Sequence, residues 1–233
     1  LQGDVLIDAQ GSIIDGDSLV DDADVEGNDV TLIARGGNIG IPAGDFFKDR
    51  PDGLEVITRS NPLLPLQPGN LTVSAVGGSI ALQATVAGAI NATSDTLFIL
   101  ADDDLDVSAS TFTVANLGLI ADADGDSVGT LTLGGNLTVT GDLRLEGADI
   151  VANGPSAPQL DIAATRVLLR SGGQADLLVA AQFLDATTQA DLAITSTGTS
   201  IELVDLNGDN IALQTLNGNA SITLHSSGNV VVA

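Results

Sequence analysis

The chain has 233 residues, enough for one large domain or two small ones, and contains no Cys, Met, Trp or Tyr. Without Cys there are no disulfides, thiolate metal sites, thiol nucleophiles or iron–sulfur ligands, and the lone His225 excludes a multi-histidine zinc centre. Seven basic against 31 acidic residues give a formal charge of −24, which repels nucleic acid and anionic membranes, so neither is expected as a partner.

The acids are 27 Asp and only four Glu, and a single Lys accompanies six Arg. Asp, Gly and Asn favour turns and disfavour helices, so a helix-rich fold is not expected. A hydrophobic fraction of 44% argues for a packed fold despite the acidity. An acidic, aliphatic, Gly-rich chain without Cys suits a secreted bacterial surface protein, and the Asp excess suits salty or calcium-rich surroundings.

In chain order, Asp4-Val-Leu-Ile7 opens the sequence, and Asp15-Gly16-Asp17 with Asp21-Asp22-Ala23-Asp24 forms an acidic patch. Val30-Thr-Leu-Ile-Ala34 is the first clear strand, with aliphatic residues at alternate positions. Residues 41–69 then break the pattern. They hold five of the seven prolines, Lys48, Arg50, Arg59 and the adjacent Phe46 and Phe47. Proline cannot sit in a central ladder. The segment is expected to be a loop excursion with a short strand at Leu54–Thr58, and removal of 43–67 is expected to leave the remainder folded.

Alternation resumes at Leu71-Thr-Val-Ser-Ala75, Ser79-Ile-Ala-Leu-Gln-Ala84 and Leu105-Asp-Val-Ser-Ala109. Residues 60–94 carry no charge, but Pro62, Pro65, Pro68 and the polar alternation exclude a membrane-spanning helix there. Asp102-Asp103-Asp104 reads as a solvated corner. Asp122-Ala-Asp124-Gly125-Asp126 places oxygen ligands at alternate positions around a Gly bend, a spacing that suits calcium. It lacks the Glu that closes an EF-hand loop, since Leu133 stands twelve positions along, so a plain solvated turn is the competing reading.

Thr130-Leu-Thr-Leu-Gly-Gly135, Asn136-Leu-Thr-Val-Thr-Gly141 and Asp142-Leu-Arg-Leu-Glu-Gly147 are three successive six-residue copies. A strand of about four residues followed by a sharp corner is the face of a β-solenoid. Asp191-Leu-Ala-Ile-Thr195, Ile211-Ala-Leu-Gln214 and Ser221-Ile-Thr-Leu-His225 complete the strands, with His225 expected on an outer face. Between them Asp205, Asn207 and Asp209 form a second, weaker calcium candidate. Gly-Asn pairs such as Gly27-Asn28, Gly37-Asn38 and Gly69-Asn70 mark corners expected to use left-handed backbone, with Asn hydrogen-bonding the next coil.

The expected architecture is all-β: one parallel β-helix over residues 1–233 with the Pro-rich excursion at 41–69. At roughly 20 residues per coil, it would have about 10 to 12 coils. The chain neither starts with Met nor carries a polar cap at either end, so it is expected to be a slice of a longer protein whose targeting signal lies elsewhere.

Asp29-Val-Thr-Leu-Ile-Ala-Arg-Gly-Gly-Asn-Ile-Gly40 resembles the repeats of filamentous-haemagglutinin-like large exoproteins. Leu71-Thr-Val-Ser-Ala-Val-Gly-Gly-Ser-Ile-Ala-Leu82 repeats the theme and residues 219–233 echo it more weakly. The resemblance implies a right-handed parallel β-helix in a secreted or surface-anchored adhesin. The copies at 130–147 are also similar to bactofilin-type solenoids, cytoplasmic filament formers, whose regular coils the Pro-rich excursion does not fit.

The functional expectation is a non-catalytic, extracellular or cell-surface stalk or adhesin segment. Its contacts would be neighbouring coils or like subunits, with a surface glycan or protein ligand at the excursion and calcium on the Asp turns. A self-assembling subunit of a filament, sheath or surface layer is the alternative. A polysaccharide-active β-helix enzyme is a third, though it would lack Trp and Tyr for stacking on sugars. Thr-x-Thr pairs at Thr111/Thr113, Thr130/Thr132 and Thr138/Thr140 follow no fixed interval, which counts against an ice-binding face.

Overall fold

The computed structural model describes residues 3–15, 23–60, 67–126, 128–134, 137–152, 160–171, 175–188, 192–196, 200–205, 211–215 and 221–226. Among them there is no helix. The strands are β1 Val5–Ala9, β2 Val25–Gly27, β3 Val30–Ala34, β4 Leu54–Thr58, β5 Leu71–Ala75, β6 Ser79–Thr85, β7 Ile90–Leu100, β8 Leu105–Asp106, β9 Thr111–Ile120 and β10 Thr130–Leu133. After these come β11 Leu137–Thr138, β12 Asp142–Gly147, β13 Asp149–Ala152, β14 Leu160–Ser171, β15 Ala175–Thr188, β16 Leu192–Ser196, β17 Ser200–Asp205, β18 Ile211–Thr215 and β19 Ser221–Ser226. The fold is all-β and its strands pair in parallel. Two compact units share the chain, one of residues 1–101 with 109–118 and one of 102–108 with 119–233.

In the first unit the register sets aliphatic residues on aliphatic residues. Val5, Val30, Leu71 and Ile90 are successive partners, and so are Ile7, Leu32, Val73 and Ala92. Val30, Leu32, Leu71 and Val73 are buried, while the residues between them are partly or fully exposed. A strand shows successive side chains to opposite faces, and parallel pairing without offset carries that alternation from one strand to the next. A second ladder runs through Ile13, Ile39, Ile80 and Leu97, and a third through β2, β4, β6 and the end of β7.

The corners explain why the chain is rich in Asp rather than Glu. Before the first inward aliphatic of several strands stands a short polar residue, and its side chain accepts the amide N–H of the residue at the same place one rung on. Asp4 Oδ1 accepts from Asp29 (3.4 Å), Asp29 Oδ1 from Asn70 (2.8 Å) and Asn70 Oδ1 from Ala89 (3.0 Å). In return the carbonyls of Asp29, Asn70 and Ala89 accept from Val5, Val30 and Leu71. Ser12 Oγ, Asn38 and Ser79 repeat the exchange in the second ladder, where Asn38 Oδ1 accepts from Ser79 (2.9 Å). A short side chain reaches the next amide, so backbone groups that the bend would leave unpaired are satisfied. Asn38→Ala is expected to cost about 1 kcal/mol, with Asn38→Asp or Asn38→Ser costing less, measured by urea unfolding followed by circular dichroism.

The glycines of the Gly-Asn pairs serve a different purpose from the expected one. Gly27, Gly37 and Gly69 are not in left-handed backbone; among the described residues the positive-φ glycines are Gly40, Gly77, Gly125 and Gly129. A Cβ on Gly69 would instead overlap the Asn28 carbonyl, and one on Gly37 would overlap Ser12. Close approach of neighbouring rungs, not φ, is what requires glycine there.

The 41–69 segment divides into two parts of different character. Ile41 and Asp52 exchange two backbone hydrogen bonds (2.8 and 3.1 Å) as an antiparallel bridge, and residues 42–51 form the loop they close. Leu54–Thr58 is the full strand β4, paired on one side with β2 and on the other with β6. The Phe46 ring lies 4.8 Å from that of Phe98 and 5.1 Å from that of Phe47, so the loop is seated on an otherwise outward-facing aromatic that is 1% exposed. Gly118 leaves room for the Phe98 ring, which a Cβ there would overlap.

In the second unit the same pairing continues. Leu105, Leu131, Ile150, Ala175, Leu192 and Ile211 are successive register partners. Leu143, Val167, Leu184, Ile201 and Ile222 form another such row. The three six-residue copies do not pair with one another: Leu131 faces Ile150, Leu137 faces Ile162 and Leu143 faces Val167. The corner rule recurs, with Asp104 Oδ1 accepting from the Thr130 amide at 2.8 Å.

Candidate functional site

The best-formed candidate is the turn between β9 and β10. Asp122 adopts φ 60°, a left-handed conformation that Asp tolerates better than most residues, and Gly125 follows at φ 78°. The Gly125 amide donates to the Asp122 carbonyl (3.2 Å), and the Val128 amide to Asp126 Oδ1 (2.8 Å), so the loop curls upon itself. One carboxylate oxygen each from Asp122, Asp124 and Asp126 lies within 4.8 Å of the others, with Asp122 partly buried and the other two exposed. Oxygens that close together can reach one cation, and calcium takes carboxylate oxygens of this kind. Three carboxylates supply up to six oxygens and water can complete the shell.

The neighbourhood adds to the negative charge. Asp102, Asp103 and Asp104 are exposed as the sequence leads one to expect, and the Asp103 carbonyl accepts from the Asp122 amide (3.4 Å). That contact ties the two Asp-rich turns together through the backbone. Of the second calcium candidate, Asp205 is the last residue of β17, in register with Thr188 and Ser226. Asn207 and Asp209 lie outside the described residues. His225 stands in β19 opposite Val204.

The 42–51 loop is the second candidate. Asp45 accepts from the Phe47 amide (3.1 Å) and pairs with Lys48 at 3.2 Å, and these contacts, the backbone one first, hold its carboxyl below the ordinary range. Lys48 is 80% exposed and Arg50 is exposed, so the loop offers cations to solvent on a strongly acidic chain.

No family model, curated protein or solved structure matches the chain.

Two features escape a reading of the sequence. Arg144 is 2% exposed and donates through Nε to Glu146 Oε1 at 2.7 Å, and Arg170 reaches the same oxygen at 3.0 Å from a half-exposed position. The i, i+2 spacing on one strand face was visible, but alternation places that face outward, and all of Leu143–Gly147 is buried. The other is the approach of Asp15, Asp24 and Glu55, residues far apart in sequence and joined only by the register of β2 with β4. Cross-rung pairs Arg35–Asp8 (2.5 Å) and Arg59–Glu26 likewise need the register before they can be named.

Proposed function

We propose that the chain is a β-solenoid segment that serves as a non-catalytic stalk or adhesin element of a secreted or cell-surface protein. The observation that carries this reading is the unbroken in-register stacking of aliphatic residues through successive parallel partners in each unit, reinforced by polar corners. A backbone cross-linked this way at each step resists extension, because hydrogen bonds and packing along a row must yield together. The 42–51 loop, with Lys48 and Arg50 displayed on a seat of Phe46 and Phe98, is the place for a glycan or protein ligand.

Calcium on Asp122, Asp124 and Asp126 relieves the self-repulsion of a −24 chain. Millimolar calcium is expected to raise the thermal midpoint relative to chelator, and Asp124→Asn with Asp126→Asn to abolish the rise. A ligand at a hundred times its Kd stabilises by about 2.7 kcal/mol. An unchanged midpoint in the parent chain would make the turn a plain solvated corner.

Sedimentation velocity across a concentration series, in calcium and then in chelator, tests the structural role. A monomer with high frictional ratio in both supports the stalk. Calcium-dependent growth into long assemblies would replace it with a filament or surface-layer subunit.

A further inference from the structure

The Asp15–Asp24–Glu55 corner of the first unit has properties that its packing role does not explain. The Glu55 amide donates to Asp24 Oδ2 at 3.0 Å, the same rung-to-rung exchange seen at the other corners. As at Asp4 and Asp29, the residue one rung on is itself an acid; what sets this corner apart is that a third acid joins the pair. Carboxylate oxygens of Asp15, Asp24 and Glu55 all lie within 4.8 Å of one another. Glu55 Oε2 is shielded from solvent and has no hydrogen-bond partner.

Among the described residues, the partners of this corner bring no cation to the oxygen. Asp24 and Asp15 are acids. On β6, Gln83 is the register partner of Glu55 and carries no charge. Two positions along β4, Ile57 faces Glu26, and the nearby Arg59 engages Glu26. A carboxyl oxygen out of water beside other carboxylates is satisfied most simply by a proton.

We propose that the Glu55 carboxyl holds a proton against Asp24, making this junction a pH-operated clasp between β4 and the residue preceding β2. With the proton bound, an O–H···O hydrogen bond joins the two rungs. When it leaves for solvent base, adjacent carboxylates repel and the junction loosens. No other bond forms or breaks.

Burial first, then the hydrogen bond and charge of Asp24, with a smaller push from Asp15, raises the Glu55 carboxyl from 4.5 to about 7. A carboxyl raised in the folded state favours folding most fully at a pH below its unfolded value. That contribution is lost as pH rises from about 4.5 through about 7. The first unit therefore tightens on mild acidification, opposite to the behaviour of its Arg35-paired Asp8, whose carboxyl is lowered by the hydrogen bond from Arg35.

The chain contains only four Glu, so selective ¹³C labelling of Glu carboxyls gives a spectrum simple enough to titrate in the full chain. In chelator, to keep cations out, one of the four signals is expected to move with a midpoint near pH 7. It should be missing in Glu55→Gln, and its midpoint should fall in Asp24→Asn, where the neighbouring negative charge is gone. Glu55→Gln, which mimics the protonated state, should also have a thermal midpoint that exceeds that of the parent increasingly as pH rises from 5 to 8. If no Glu signal titrates near 7, or if the one that does persists in Glu55→Gln, the clasp does not exist. An Asp24→Asn midpoint equal to that of the parent would remove Asp24 from it.

Discussion

Glu146→Leu is expected to destabilise the second unit by about 3–5 kcal/mol, because it removes the carboxylate paired with the Arg144 guanidinium in a site that is 2% exposed. Arg170 cannot compensate, since it adds a second positive charge to the same place. The double change Arg144→Leu with Glu146→Leu should recover most of the loss. Two apolar side chains need no partner, and a buried ion pair contributes little net stability over a well-packed apolar pair. Arg170, half exposed, then turns to water. The comparison is a double-mutant cycle by urea unfolding followed by far-ultraviolet circular dichroism, since a chain without Trp or Tyr offers little intrinsic fluorescence. A loss below about 1 kcal/mol in Glu146→Leu would mean that water reaches Arg144 and that the pair behaves as a surface pair does.

Deleting residues 43–67 is expected to unfold the first unit, against the expectation from sequence that the whole excursion is dispensable. The deletion removes β4, and with it the only link between β2 and β6 in the third ladder among the described strands. Replacing residues 42–51 alone by Asn-Gly should be tolerated. Ile41 and Asp52 already exchange both backbone hydrogen bonds, the pair that closes a two-residue hairpin turn. The shorter change uncovers the Phe98 ring that Phe46 shields, at a cost of about 1–3 kcal/mol. Thermal unfolding by circular dichroism separates the cases: a cooperative transition at reduced midpoint for the Asn-Gly chain, and loss of the first unit's transition for the longer deletion. A cooperative parent-like transition in both would show that β4 is not needed to join its neighbours.

The strands themselves were legible in the sequence. Val30–Ala34, Leu54–Thr58 and Leu71–Ala75 fall where alternation places them, and Ser79–Ala84, Ile211–Gln214 and Ser221–His225 differ from β6, β18 and β19 by one residue at one end. Leu105–Ala109 shortens to β8, because Ser108 turns to take up the Asp106 carboxylate through its amide (2.8 Å). Asn38 and Asn70 hydrogen-bond the next rung as their corner positions suggest. The Asp122–Asp126 turn could be read from spacing because its residues are local, and local chain geometry brings their carboxylates together.

What the sequence by itself determined is the period: alternation two residues long, corners marked by Gly-Asn pairs, and no helical pattern. Those follow from the pleat of one strand and the reach of one side chain, and they need no knowledge of partners. What only the tertiary structure decided is which rung lies on which. The sequence offset between partners varies, from 17 at Ile80 and Leu97 to 41 at Asn38 and Ser79, so no fixed repeat length reveals the partner. Register brings Glu55 against Asp24, sets Arg59 on Glu26 and seats Arg170 on Glu146. A loop folded back from residues 42–51 buries an outward Phe98. Alternation tells in from out within a strand, but whether an outward face meets water or protein depends on residues distant in the chain.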